Sequence, residues 1–417
     1  MKRSLLVCSL AVVLSLMLGA CATLIEGEYE EVTIHTEDPS GEEQDHDAEI
    51  ISVGNDSALK NAIINMVQNR TESATLRLEN YDSAVAADIL YQAISEVQNT
   101  PLGAYAVKHI SDSNPVQLSY YQVDLKILYK RTQEEMDSIV TVNTQEAAEN
   151  KILEVVEENG SYVAIMGPAA IASESVVSNL FERYYYSSPL SVVSLPAVTS
   201  TVYPNTGSSR ILELQFEYAL TLEEKTQMVT ALADAVAVVA ADITAQSEAG
   251  KLLNVCRSLA DRITYDTETQ EEEREDLSQN PAGYTAYDAL VNGTAVSEGY
   301  AMALKAVCDQ VGFECTIVQG RHNEARHVWN IVKIDEEYYH VDPMLCDTVG
   351  FENAFLLRDS DLTGHYWWDT GAYVNCEGHL TYYDLIPKIV PTDSQEEVSA
   401  SESEQETDFI SNGQNAE

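Results

Sequence analysis

The stretch from Ala289 to Cys308, ALVNGTAVSEGYAMALKAVC, narrows most what this chain can fold into. An Asn-Gly turn and a short apolar step lead to a small polar residue, Ser297, that opens a helix. Tyr300, Leu304, Val307 and Val311 recur at helical spacing, and Gly312 ends the run. Ser297 therefore falls in the first turn, where backbone N–H groups lack intrahelical partners and the helix dipole favours negative charge. A thiolate, or an oxyanion forming beside it, is stabilised at such a place. Downstream, RHVWNIVKI reads as a strand and EYYHVDP as its partner, with Asp335-Glu336 as a two-residue turn. That turn pairs Ile334 with Glu337, and the same register sets Trp329 opposite Asp342 and His327 opposite Met344. His327 and Asp342 then become diagonal neighbours on one face, about 7 Å apart at Cα and within reach of a hydrogen bond. A three-residue turn would put them on opposite faces.

Each residue has a plain structural role when taken singly. A serine after a turn caps a helix, a histidine on a strand packs, and Asp-Pro turns the chain. In this order they also supply nucleophile, base and orienting carboxylate. TAYDALVNGTAVSEGYA, RHVWNIVKI and YYHVDP together resemble the bacterial transglutaminase-like domain of the papain-like superfamily. In that family a cysteine stands at a helix N-terminus, a histidine in an H-x-W-N strand and an aspartate in a Y-x-x-D-P strand. ITYD and NAFLLRDSDLTGHYWWD are similar to such proteins too, so the resemblance runs from about Leu222 to Pro387. It implies an α+β fold with a papain-like core in the C-terminal half, and Ser297, His327 and Asp342 as the catalytic positions. The chain departs from the family at the nucleophile, where Ser297 stands in place of cysteine. Cys308 lies about 16 Å further along the helix axis, Cys315 beyond the helix and Cys346 beyond the Asp strand, so none takes its place easily.

The departure has chemical weight. A cysteine beside His⁺ at a helix N-terminus ionises at a pKa of roughly 3.5–7.5 and rests as a thiolate. A serine hydroxyl cannot form that resting pair and must lose its proton to a neutral His327 during attack. A site shaped for sulfur also holds oxygen too far back, and misplacement by about an ångström costs around a hundredfold. The expected function is a transglutaminase-like domain with impaired catalysis that binds peptide or cell-wall fragments or a partner protein. The alternatives are an active acyl-transfer enzyme, an amide hydrolase or transglutaminase using Ser297, His327 and Asp342, and a purely structural surface module. No cofactor is expected. His322, His340, His365 and His379 give no metal spacing. Tyr300 and Trp329 are candidate cleft residues, with Trp329 as a wall; Tyr300, Tyr366, Trp367 and Trp368 read more simply as packing.

The rest of the chain places this domain. Lys2 and Arg3, an apolar stretch from Leu5 to Leu18, and Leu18-Gly19-Ala20-Cys21 make residues 1–20 an export signal ending at a lipidated Cys21, which implies an extracytoplasmic, lipid-anchored location. Residues 21–57 and 389–417 are acidic and read as a flexible linker and tail. The formal charge of −45 argues against nucleic acid as a partner. Between the linker and the C-terminal domain at 223–388 lies an internal repeat. QNTPLGAY and YSSPLSVV are each preceded by a helical pattern and followed by an extended run, VQLSYYQVDLKILY and RILELQFEYAL, at a spacing of 88 to 89 residues. This pattern gives two small α+β units, at 58–148 and 149–222, without a chemical motif, as befits a spacer or docking platform. Cys256, Cys308, Cys315, Cys346 and Cys376 contain no C-x-x-C pair, and an odd number leaves at least one thiol outside any internal disulfide.

Overall fold

A computed structural model describes residues 50–386 except 83, 118–119, 270, 272–276 and 280. The export signal, Cys21, most of the acidic linker and the tail lie outside the described residues. No helix among the described residues is long and apolar enough to cross a membrane.

Two four-stranded sheets come first. One contains β1 (Ile50–Val53), β2 (Ser73–Leu78), β3 (Val107–Gln117) and β4 (Tyr121–Tyr129) in the order β1-β2-β4-β3. The other contains β5 (Val140–Thr141), β6 (Tyr162–Pro168), β7 (Ala197–Tyr203) and β8 (Ser209–Glu217) in the order β5-β6-β8-β7. In each, the first pair is parallel and the other two are antiparallel. Helices α1 (Asp56–Gln68) and α2 (Ala86–Gln98) accompany the first sheet, and α3 (Gln145–Glu157) and α4 (Glu174–Ser187) stand at the same points in the chain order of the second. Two boundaries differ from the sequence expectation. β1 lies in residues read as linker, and β5 lies in residues read as the end of the first unit. These edge strands have four and two residues, too few for alternation to reveal them.

The C-terminal half begins with α5 (Leu222–Ala241), whose start is a capping box: Thr221 Oγ1 accepts from the Glu224 N–H, and Glu224 Oε2 accepts from the Thr221 N–H. After α6 (Glu248–Ala260), the short parallel strands β9 (Thr264–Tyr265) and β10 (Thr294–Ala295) deliver the chain to α7 (Ser297–Val311). Gly312, at φ +87°, ends α7, and the Gly312 and Phe313 N–H groups both bond the Cys308 carbonyl. A five-stranded antiparallel sheet comes next, ordered β14-β13-β12-β11-β15, from β11 (Cys315–His322), β12 (Ala325–Ile334), β13 (Glu337–Val341), β14 (Phe355–Leu357) and β15 (Tyr366–Trp368). The helix packs on β12, and Asn330 Nδ2 donates to the Ala301 carbonyl at 3.0 Å, tying the two together. One apolar core runs from Leu214 and Phe216 of the second sheet through Tyr300 and Leu304 of α7 to Trp329 and Val332 of β12. The first sheet has its own core, around Leu59, Leu76 and Val123.

The β12–β13 turn is Asp335-Glu336, both at positive φ (48° and 68°), and it pairs Ile334 with Glu337 as the sequence spacing predicts. The ladder stops at Asn330 and Val341, before Met344 can face His327. The chain leaves the sheet at Asp342, which caps α8 (Pro343–Thr348) by accepting the Leu345 N–H at Oδ1, 3.0 Å away.

Gly320 of β11, paired with His327 and with Trp368, leaves room for this packing. A Cβ there would lie 2.3 Å from the Trp367 carbonyl oxygen and 2.7 Å from the Trp329 ring. Gly320→Ala is expected to destabilise the protein by about 1–3 kcal/mol through overpacking, read as a lower urea midpoint at unchanged slope.

Candidate functional site

Ser297, His327 and Asp342 are brought to one buried place, with residual exposures of 0, 3 and 2 %. His327 Nε2 meets Asp342 Oδ2 at 2.5 Å. The same oxygen accepts the Tyr366 hydroxyl at 2.8 Å, while Asp342 Oδ1 holds the Leu345 N–H. Burial raises the cost of the Asp342 charge, but the His327 charge and these hydrogen bonds outweigh it and hold the carboxyl below its ordinary pKa. For His327, burial disfavours the cation, but the Asp342 charge and hydrogen bond, with a contribution from Glu271, raise it above the ordinary imidazole value. The pair therefore favours imidazolium beside carboxylate.

Ser297 joins this pair through the backbone. Its Oγ accepts the Val328 N–H at 3.0 Å, so the hydroxyl sits beside the His327–Val328 peptide. Its proton goes elsewhere. Ser297 Oγ donates to Glu271 Oε2 at 2.6 Å, and the Ser297 N–H donates to Glu271 Oε1 at 2.8 Å. Among the described residues, no hydrogen bond joins Ser297 to His327.

Glu271 is the functional residue the sequence reading missed. Val296, in the N-cap position of α7, has no side chain that can cap, and a carboxylate from a loop 26 residues upstream supplies that role. Arg326 completes the arrangement. Its Nη2 pairs with Glu298 Oε2 at 2.6 Å and its Nη1 lies 3.5 Å from Glu271 Oε2, with all three side chains at least nine-tenths buried. The one available signal was charge in buried sequence: Glu298 in AVSEGYA and Arg326 in RHVWN each need a partner when their neighbours are core residues. Nothing in the spacing of the loop marks Glu271.

Of the two candidate cleft residues, Trp329 is placed differently from the favoured expectation and Tyr300 lies in the core, where it reads more simply as packing. Trp329 is fully buried and is no cleft wall, because its indole N–H finds an internal acceptor, His340 Nδ1, at 3.0 Å. Tyr300 is also fully buried, its hydroxyl donating to Asp347 at 2.6 Å with the Ile263 carbonyl oxygen 3.2 Å away. Trp367, read as packing, is 48 % exposed, since the three-residue edge strand β15 turns alternate side chains outward.

Among the described residues, His340, Asp359 and Cys376 come nearest to a metal-ligand set, with donor atoms within 4.8 Å of one another. The indole N–H pointing at His340 Nδ1 places the imidazole proton on Nε2, which donates to Asp359 Oδ1 at 2.9 Å. A metal on Nε2 would force that proton onto Nδ1, against another donor. These residues form a hydrogen-bonded chain that fixes Trp329. The five described cysteines are all buried free thiols.

The family model described as the transglutaminase-like superfamily matches residues 237–343, a span that includes Ser297, His327 and Asp342. A search of curated proteins finds no match. Among solved structures, the chain is similar to a TGase at 14 % identity, covering 54 % of this chain and 65 % of that one, with a TM-score of 0.25. It is also similar to a candidate cysteine protease from Cytophaga hutchinsonii, at 10 % identity over 36 % of this chain and 61 % of that one, TM-score 0.22. A candidate protease from Parabacteroides distasonis matches at 9 % identity over 53 % and 46 % of the two chains, TM-score 0.19. The chain thus spans about two thirds or less of each of these structures. Helices and mixed sheets, with a transglutaminase-like domain in the C-terminal half, describe this chain.

Proposed function

We propose that this is a cell-surface protein, held by lipid at Cys21, whose transglutaminase-like domain binds peptide or cell-wall fragments or a partner protein without turning them over. The observation that carries this reading is the direction of the Ser297 hydroxyl, which donates to Glu271 instead of to His327. A general base must be within hydrogen-bond reach of the proton it takes and must be free to accept it. His327 is biased toward its protonated form by Asp342, which suits a resting thiolate and works against removing a proton from an alcohol. The Ser297 N–H, the donor that an acyl oxyanion would use, is engaged by the same Glu271. A fluorophosphonate probe for activated serines is expected to leave the protein unlabelled, matching a Ser297→Ala control. Labelling that disappears in Ser297→Ala would replace this reading with a working serine triad.

A further inference from the structure

We propose that Ser297 and Arg326 form a carboxylate-binding site that the chain fills with its own Glu271, and that the site accepts a free carboxylate when Glu271 is withdrawn. Both oxygens of the Glu271 carboxylate are engaged. One takes the Ser297 N–H at 2.8 Å, and the other takes the Ser297 hydroxyl at 2.6 Å and lies 3.5 Å from Arg326 Nη1. The donors belong to different elements. Ser297 opens α7, and Arg326 is held on β12 by its ion pair with Glu298 at 2.6 Å. The Ser297 hydroxyl is held in turn by the Val328 N–H. None of these supports depends on Glu271, so the donors stay in place without it. A helix dipole, a fixed hydroxyl and a guanidinium converging on one planar anion make a chemically specific receptor.

The occupant is tethered through the loop after β9, and the Glu271 side chain is 7 % exposed. A ligand of the same chemistry, such as the C-terminal carboxylate of a peptide, must displace it to reach Ser297. In this way the chain's own acid competes with an outside one. The natural ligand's identity rests on the binding reading above; occupancy of the site by a carboxylate does not.

Chemical rescue separates the two. Glu271→Ala removes the atoms of an acetate ion and leaves the donors. Sodium acetate, compared with sodium chloride at equal ionic strength, is expected to raise the Tm of Glu271→Ala saturably by a few degrees and to leave the wild type unmoved. A peptide with a free C-terminal carboxylate is expected to reproduce the shift, and its C-terminal amide to give none. If the peptide acid fails while acetate succeeds, the site stands and the peptide reading falls. Should Glu271→Ala prove too unstable to purify, Glu271→Gln takes its place. Its neutral carboxamide is the weaker occupant, so acetate produces a smaller shift that is still absent from the wild type. Equal responses to acetate and chloride in whichever variant folds would overturn the proposal.

Discussion

Replacing Asp342 with asparagine is expected to lower stability by about 3 kcal/mol near pH 6, the low end of the cost of removing one partner from a buried ion pair. The expected loss is large because Asp342 has three partners: the His327 imidazole, the Tyr366 hydroxyl and the Leu345 N–H that starts α8. Asparagine keeps an acceptor for one or two of them and drops the charge. The pH dependence has a definite sign on each side. The folded-state pKa of Asp342 is depressed, so its contribution is fully present above the unfolded value of about 3.9 and is lost as pH falls through the folded one. The folded-state pKa of His327 is raised, so its contribution is fully present below the unfolded value of about 6.5 and is lost as pH rises through the folded one. The difference between wild type and Asp342→Asn should therefore be greatest between about pH 4 and 6.5 and shrink in both directions. Urea unfolding at a series of pH values checks it. A difference that stays flat from well below that window to well above it would mean that the pair holds no charge in the folded protein.

What could be read in the sequence was local. The helical spacing of Tyr300, Leu304, Val307 and Val311, closed by Gly312, predicted a helix that begins at Ser297. The Asp335-Glu336 turn predicted the β12–β13 register, because a two-residue hairpin leaves only one. The meeting of His327 and Asp342 depends on that register, though Asp342 reaches histidine after leaving the strand, held by its cap on α8. The similar helix and strand order around the first two sheets was also visible, since a repeat copies local patterns. Contacts between distant segments were not legible. Glu271 sits in a run of acidic residues where its neighbours have the same chemistry, and only the open N-terminus of α7 selects it. Trp329 was misread because the residue that lets its indole N–H be buried, His340, lies on the next strand. In both cases a polar group found its partner through the tertiary fold, and hydrophobic periodicity carries no record of such partnerships.

The largest gain of reactivity is expected when a thiol is placed at position 297 and the internal acid is removed. In Ser297→Cys alone, Glu271 stays over the helix start, where its negative charge raises the pKa of a neighbouring thiol and its side chain blocks approach. In Ser297→Cys/Glu271→Ala, the helix N-terminus and the His327 cation act on the thiol unopposed, and its pKa should fall into the range of roughly 3.5–7.5. At pH 6 an ordinary thiol of pKa about 8.5 is well under one per cent ionised, so the double variant should react with iodoacetamide about 10- to 100-fold faster than the single one. Background is low: the five described native cysteines are buried, and burial raises the pKa of Cys256, Cys346 and Cys376, while for Cys308 a hydrogen bond to Cys315 raises it most and burial adds to that. Adding His327→Gln should move the pH midpoint of alkylation back toward that of an ordinary thiol, because it removes the cation while sparing the helix. Acetate should slow labelling of the double variant by refilling the place Glu271 left. If the double variant alkylates with an ordinary thiol's pH profile, His327 and the start of α7 do not stabilise an anion at position 297, and the description of Ser297 as the successor of a thiolate fails with them.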